Sequence, residues 1–480
     1  MAQATQLPQL ELSLLLLVLL LGTAHEVHSL EGKKALSLRN LFWDQMTSTP
    51  NCFSQKSIQK NGATILEIVH QDHCSGKTVN WNQKLQKRLI LDDAQVRMLQ
   101  HRIKNAHSGN IKEDVAKTQL PITSGVRLQT LNYIVTVELG GRKMSVILDT
   151  GSDLTWVQCQ PCRVCYNQQD PLFNPSASPS YKSIPCNSST CQSLEYATGN
   201  LGVCDPRTPI CNYLVSYGDG SYTRGELGVE HLNLGATPVD NFVFGCGRNN
   251  KGLFGGASGL MGLGRSSLSM VSQTSNLFGG VFSYCLPSAE VAASGSLAFG
   301  GDFSVYKNST PISYTAMIPN PQLPTFYFLN LTGISVGGEA IQSPSFGKAG
   351  ILIDSGTVIS RLPPSMYRAL KEEFLKKFTG YPPAPGFSIL DTCFNLSAYQ
   401  EVEIPTIDMH FDGDTELKVD VNGIFYFAKT DASQVCLALA SLTYEDEIGI
   451  IGNYQQKNQR VVYDTTGSKL GFAGETCSFI

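Results

Sequence analysis

Histidine is scarce where it would matter most. Of the eight in this 480-residue chain, only His231 and His410 lie beyond residue 120. A serine- or cysteine-type triad needs a histidine base beside its nucleophile. GGASGL at 255–260 also misses the G-x-S-x-G turn, because Leu260 stands where the last glycine belongs. The spacing C-x2-C-x2-C at Cys159, Cys162 and Cys165 has no histidine near it to complete a common zinc set, so no metal is expected. GCGRNNKG lacks the G-x-G-x-x-G spacing of a dinucleotide loop, and no cofactor is expected. Charge is low as well, at 16% of residues. Residues 121–480 carry 22 Lys/Arg against 30 Asp/Glu, a net of −8, which is not the basic footprint of a nucleic-acid binder. Long apolar runs are missing too. Leu12–Leu21 is too short to cross a bilayer, and no membrane span is expected.

What is present leans toward an all-β protein. There are 44 Gly and 23 Pro among short alternating apolar stretches, as in NYIVTVELGG. The Leu12–Leu21 run followed by Gly22 and Ala24 suits a signal peptide over 1–24, with Ser29 as a second cleavage position. Of 14 cysteines, seven crowd into 159–211, which reads as a disulfide framework in an oxidising compartment. Sequons at Asn187, Asn308, Asn330 and Asn395 are glycosylation candidates on the same route. The expected destination is the extracellular space, with vacuole or chloroplast as alternatives.

Residues 25–120 are basic, with 14 Lys/Arg against 9 Asp/Glu. A basic leader on an acidic body suggests a prosegment that docks on the domain it precedes. Its one helix-like patch is LILDDAQVRMLQHRI, where Leu89, Val96, Leu99 and Ile103 share a face. Strand texture is expected from Leu131 onward, interrupted by one clear helix at PPSMYRALKEEFLKKF.

The body reads as a weak duplication. VILDTGSD at 146–153 is answered 205 residues later by ILIDSGTV. GLMGLG follows the first acid and GIIGN the second. Two lobes, 121–310 and 311–480, would meet where Asp149 and Asp354 sit. A carboxyl at the end of an apolar strand is costly unless something compensates it. With the two acids about 3 Å apart at an effective dielectric near 20, their repulsion is roughly 5–6 kcal/mol. One proton is then shared between them. Such a pair holds a water, one member taking its proton and the other polarising a carbonyl. Paired carboxylates also serve glycosidases, but the Gly-turn context argues against that. A Gly-rich hairpin, VSYGDGSYTRGE at 215–226, offers a cover for the cleft.

Together, DTGSDLTW at 149–156, YGDGS at 217–221, GLMGLG at 259–264, DSGT at 354–357 and IIGN at 450–453 resemble the pepsin-like aspartic endopeptidases. Within these the chain is similar to the plant nepenthesin-like group, in the branch named after a chloroplast-nucleoid DNA-binding aspartic protease. The Cys-rich stretch from Cys159 looks like that group's insert. The resemblance implies a bilobal fold of two β-barrel-like lobes, monomeric, made as a zymogen inhibited by its own prosegment and most active on proteins or peptides at acid pH. Two carboxyls sharing one proton is that family's established arrangement. On it, Asp149 and Asp354 are the catalytic pair, and Thr150 and Ser355 cross-link the two loops. Ser152 and Thr357 bond the outer carboxylate oxygens, Gly151 and Gly356 line the water site, and Tyr217 is the flap tyrosine, partnered by Trp156. Cys393 and Cys436 are expected to pair. The rival reading is a non-catalytic binding protein on this fold, such as the plant xylanase inhibitors.

Overall fold

The computed structural model describes residues 32–38, 56–70, 81–108 and 133–479, except 206–207, 218–219, 253, 289–293, 302–305, 307–308, 322 and 349. The signal-peptide run and its cleavage positions, together with Asn308, Cys52, Cys74, Gly218 and Asp219, lie outside the described residues.

The fold is mostly β-sheet with few helices, and each half builds the same unit around its acid. In the first half, strand Arg142–Asp149 runs parallel to Gly259–Gly262 with Asp149 opposite Gly262. In the second, Ile351–Ile353 runs parallel to Gly449–Ile451. Val146–Leu148 and Ile351–Ile353, the runs that lead into the acids, are buried, which accounts for their being apolar throughout. The two GLMG/GIIG segments are thus the partners that cover the acid strands, and this is the physical content of the duplication.

A central antiparallel sheet joins the halves. Phe282–Cys285 on one side pairs with Arg460–Tyr463 on the other. Gly295–Phe299 continues the sheet beyond 281–285, and Lys469–Gly474 continues it beyond 459–464. The aromatic rings of Phe282 and Tyr463 stack across it with centroids 4.4 Å apart. The expected helix forms at Pro364–Lys377, with prolines at its entrance and Met366, Tyr367, Leu370 and Phe374 buried along one side.

The leader departs from the reading that strands begin at Leu131. Lys33–Ser37 pairs with Glu401–Pro405 of the second half. Ser57–Lys60 and Ala63–His70 form a hairpin. Its turn is Asn61–Gly62, both at positive φ (49° and 77°), which is the chemistry a two-residue hairpin turn demands. Strand Ala63–His70 then enters the central sheet, bonded to Gly295–Phe299 on one edge and to Tyr133–Val135 on the other. Six of its eight residues are buried. A polar average had hidden one strand's worth of apolar residues.

The leader helix spans Trp81–Ser108. Leu85 and Leu89 pack on Val358, Ile359, Leu390 and Tyr454, and Val96, Leu99 and Ile103 pack on Phe326, Phe328, Leu352 and Ile450. The amphipathic face expected from spacing is real, and it is seated on the second lobe.

Candidate active site

Both acids end buried strands and are themselves buried, Asp149 at 6% and Asp354 at 1% exposure. Their turns are near copies. The Gly151 amide donates to Asp149 Oδ1 at 3.0 Å, and the Gly356 amide to Asp354 Oδ1 at 2.8 Å. Ser152 Oγ donates to Asp149 Oδ2 at 2.6 Å, and Thr357 Oγ1 to Asp354 Oδ2 at 2.7 Å. Each inner oxygen therefore meets a backbone amide and each outer oxygen a hydroxyl.

The two loops are tied reciprocally. The Thr150 amide donates to Ser355 Oγ at 3.0 Å, and the Ser355 amide to Thr150 Oγ1 at 2.9 Å. Glycine is required at both turns because the carboxylates face each other there. A Cβ on Gly151 would lie 2.7 Å from Asp354 Oδ1. One on Gly356 would lie 2.4 Å from Asp149 Oδ1 and 3.2 Å from Asp354 Oδ1, so a single point in space touches both inner oxygens. Burial first, and then the Asp149 charge, pushes the Asp354 carboxyl up to about 7, against the pull of its bonds from Thr357 and Gly356. At mildly acidic pH the pair accordingly holds a proton.

Tyr217 caps the hairpin made by Thr208–Ser216 and Tyr222–Leu234. The Trp156 Nε1 hydrogen donates to its hydroxyl at 2.7 Å, and Trp156 is fully buried beneath. Phe254 packs edge-on against both, at 4.9 Å from Trp156 and 5.7 Å from Tyr217. Tyr166, from the Cys-rich insert, packs against Phe254 at 5.1 Å. The base of this hairpin is thus an aromatic cluster to which the Cys-rich stretch contributes.

Several supporting residues were not found from sequence. Asn453 Nδ2 donates to the Ser355 carbonyl at 2.9 Å, and the Ser266 amide to Asp153 Oδ1 at 2.6 Å, so each motif carries its own brace. Beneath the pair, Tyr284 and Tyr463 share a hydroxyl bond of 2.8 Å, and Tyr284 also donates to Gln456. Burial chiefly holds both phenols neutral. The alternation of the central strands could have indicated inward tyrosines, but not what they meet.

The other site residues fall as follows. Cys393 and Cys436 are disulfide-bonded across adjacent strands. Cys162 pairs with Cys165 and Cys159 with Cys246, so the three cysteines weighed for zinc are engaged in disulfides. Cys186–Cys204 and Cys191–Cys211 complete the insert, and Cys285–Cys477 ties the C-terminal segment to the central sheet. Asn187 and Asn395 are exposed, whereas Asn330 is half-buried and donates to the Asp412 carboxylate at 2.9–3.0 Å.

The leader also reaches this neighbourhood. Asp92 of its helix accepts from the Val358 amide at 2.6 Å, the Ile359 amide at 3.3 Å and Arg361 Nη2 at 2.8 Å. Burial pushes the Asp92 carboxyl up, opposed by the Arg361 charge.

Comparison with known proteins agrees with this geometry. Residues 133–301 match the family model described as Xylanase inhibitor N-terminal, and 326–474 match Xylanase inhibitor C-terminal. An aspartyl protease family protein of Arabidopsis thaliana is 44% identical over 396 residues, covering 81% of this chain and 82% of that one. Aspartic proteinase nepenthesin-1 of Nepenthes gracilis is 38% identical over 359 residues, covering 72% of this chain and 78% of its own. Among solved structures, Basic 7S globulin from soybean aligns with a TM-score of 0.57 at 19% identity, covering 73% of this chain and 95% of that one, which shows the shared fold. The chain belongs to the plant pepsin-like aspartic proteases, in the nepenthesin-like group.

Proposed function

We propose that the protein is an aspartic endopeptidase that hydrolyses peptide bonds through a water held by Asp149 and Asp354. The observation that carries this reading is the mutual contact of each carboxylate with the other turn's glycine position, which leaves a shared point for one reacting oxygen. The ionised member takes a proton from the water as it attacks the carbonyl, and the protonated member donates to the carbonyl oxygen. Thr150 and Ser355 keep the two loops in register, and Ser152 and Thr357 hold the outer oxygens. Tyr217, fixed by Trp156, closes over the substrate and excludes water. Because catalysis needs one proton on the pair, activity belongs to acid pH.

On this reading the leader makes the chain a zymogen, and the apolar N-terminal run, the disulfides and the sequons support the secretory route. The leader helix is seated on Val358 and Ile359, directly after the Asp354 turn, and this position supports a prosegment that blocks the cleft. Both acids come from one chain, which supports action as a monomer.

The test is cleavage of a denatured protein by acid-matured material between pH 3 and 7, with and without pepstatin. Pepstatin-sensitive cleavage that vanishes in Asp149→Asn is the expected result. The second reading, an inhibitor on the same fold, is favoured by the description of the matching family models. It predicts no cleavage and tight binding of a xylanase by the same preparation.

A further inference from the structure

The contact between Asp92 and the second lobe is built more carefully than a docking contact requires. Three donors converge on one carboxylate, and all three belong to residues 358–361. Their geometry is set by the lobe itself. Ser360–Leu362 is fixed between Leu439–Ser441 on one side and Ile450 on the other. Arg361 Nη1 donates to the Ile359 carbonyl at 2.8 Å, which orients the guanidinium independently of the leader. The side chains of Arg361 and Asp92 are each only 1% exposed. Beside these donors lies an apolar seat of Val358, Ile359 and Tyr454, filled by Leu85 and Leu89. The site begins four residues after Asp354, close enough that the Asp92 charge acts on that carboxyl.

We infer that the Val358 amide, the Ile359 amide and Arg361 form a carboxylate-binding pocket of the processed enzyme, and that Asp92 occupies it in the precursor as a mimic of an acidic substrate side chain. The inference rests on the peptidase reading and on departure of the leader helix Trp81–Ser108, while strand Ala63–His70 keeps its place in the central sheet. When the helix leaves, three donors and one positive charge stay in place beside the reacting centre. Arg361, still oriented by the Ile359 carbonyl, is left without its carboxylate, so the pocket favours a substrate that restores the pair. The ligand class is a peptide with Asp or Glu at one fixed position from the scissile bond and an apolar side chain near it. Two backbone amides plus one guanidinium suit a carboxylate better than a neutral amide, which presents one acceptor where the pocket offers donors on all sides.

Two measurements test this on the processed chain. Peptide pairs that differ only by Asp against Asn at each position are cleaved side by side. One position should show a ratio of about tenfold or more in favour of Asp, falling to near one in Arg361→Gln and staying above one in Arg361→Lys. Equal cleavage of every pair by the wild-type chain, or an Asp preference that survives Arg361→Gln, overturns the pocket. Should Arg361→Gln fail to fold, Arg361→Lys and the wild-type ratios still decide. The second measurement is displacement of a fluorescent peptide of residues 81–108. The unlabelled peptide should bind about thirtyfold more tightly than its Asp92→Asn form, and equal binding overturns the pocket. A chain that cleaves nothing defeats the peptidase reading alone, and the pocket is then judged by displacement.

Discussion

Replacing Asp354 by asparagine should remove the chemistry and yet stabilise the folded chain at neutral pH. Asparagine keeps the shape and the acceptor for the Gly356 amide, and the Thr357 hydroxyl can turn to accept from the new amide. What disappears is a carboxyl raised from an ordinary 3.8 to about 7 by burial and by Asp149. A raised carboxyl binds its proton more tightly in the folded state than in the unfolded one. Its ionisation therefore opposes folding, not at all below about pH 4 and fully above pH 7. Three units at about 1.4 kcal/mol each set a ceiling of about 4 kcal/mol on the gain. Differential scanning calorimetry of wild type and variant at pH 4 and pH 7.5 checks this. The melting temperature of the variant should exceed wild type by several degrees at the higher pH and match it at the lower. An equal difference at both pH values, or a variant less stable at pH 7.5, would refute a proton shared between opposed carboxyls.

Other outcomes follow from the same geometry. Gly356→Ala brings a methyl to 2.4 Å from Asp149 Oδ1, so it should abolish turnover and cost about 1–3 kcal/mol of stability, read by peptide cleavage and urea titration. Trp156→Phe removes the donor to Tyr217 and should lower kcat/KM by about fivefold to tenfold, seen in steady-state kinetics with an unchanged circular dichroism spectrum. In the full-length chain, Asp92→Ala strips Arg361 of its buried counter-charge. That loss should destabilise the chain by about 3–5 kcal/mol, measured by chemical denaturation at pH 7.

Much of the candidate site was legible because its parts are local. A strand, an acid, a glycine and two hydroxyls within six residues specify the turn, and two copies specify the pairing. Tyr217 and Trp156, 61 positions apart, were paired by the resemblance and not by any local pattern. What escaped was set by contacts between distant residues. Asp92 and Arg361 are 269 positions apart, and neither carries a local mark of the other. Tyr284 and Tyr463 lie on strands that meet only in the central sheet. The leader strands are the instructive case. Net charge and average polarity described residues 25–120 as a basic prosegment with one helix-like patch and no strand, yet ATILEIVH is an apolar run preceded by Asn-Gly, the strongest short hairpin signal available. Composition over a hundred residues diluted a pattern that occupies eight.

Strand Ala63–His70 has a consequence for how the protein must be made. It lies between two neighbours in the sheet that spans both halves, so a chain begun at Tyr133 would start life with a slot one strand wide and two rows of bare amides and carbonyls facing it. Such rows recruit whatever extended polypeptide is at hand, including another copy of themselves. Recombinant production that omits the first 132 residues should therefore yield aggregates, whereas the same fragment refolded beside a separate peptide carrying residues 56–70 has the missing slat supplied in trans.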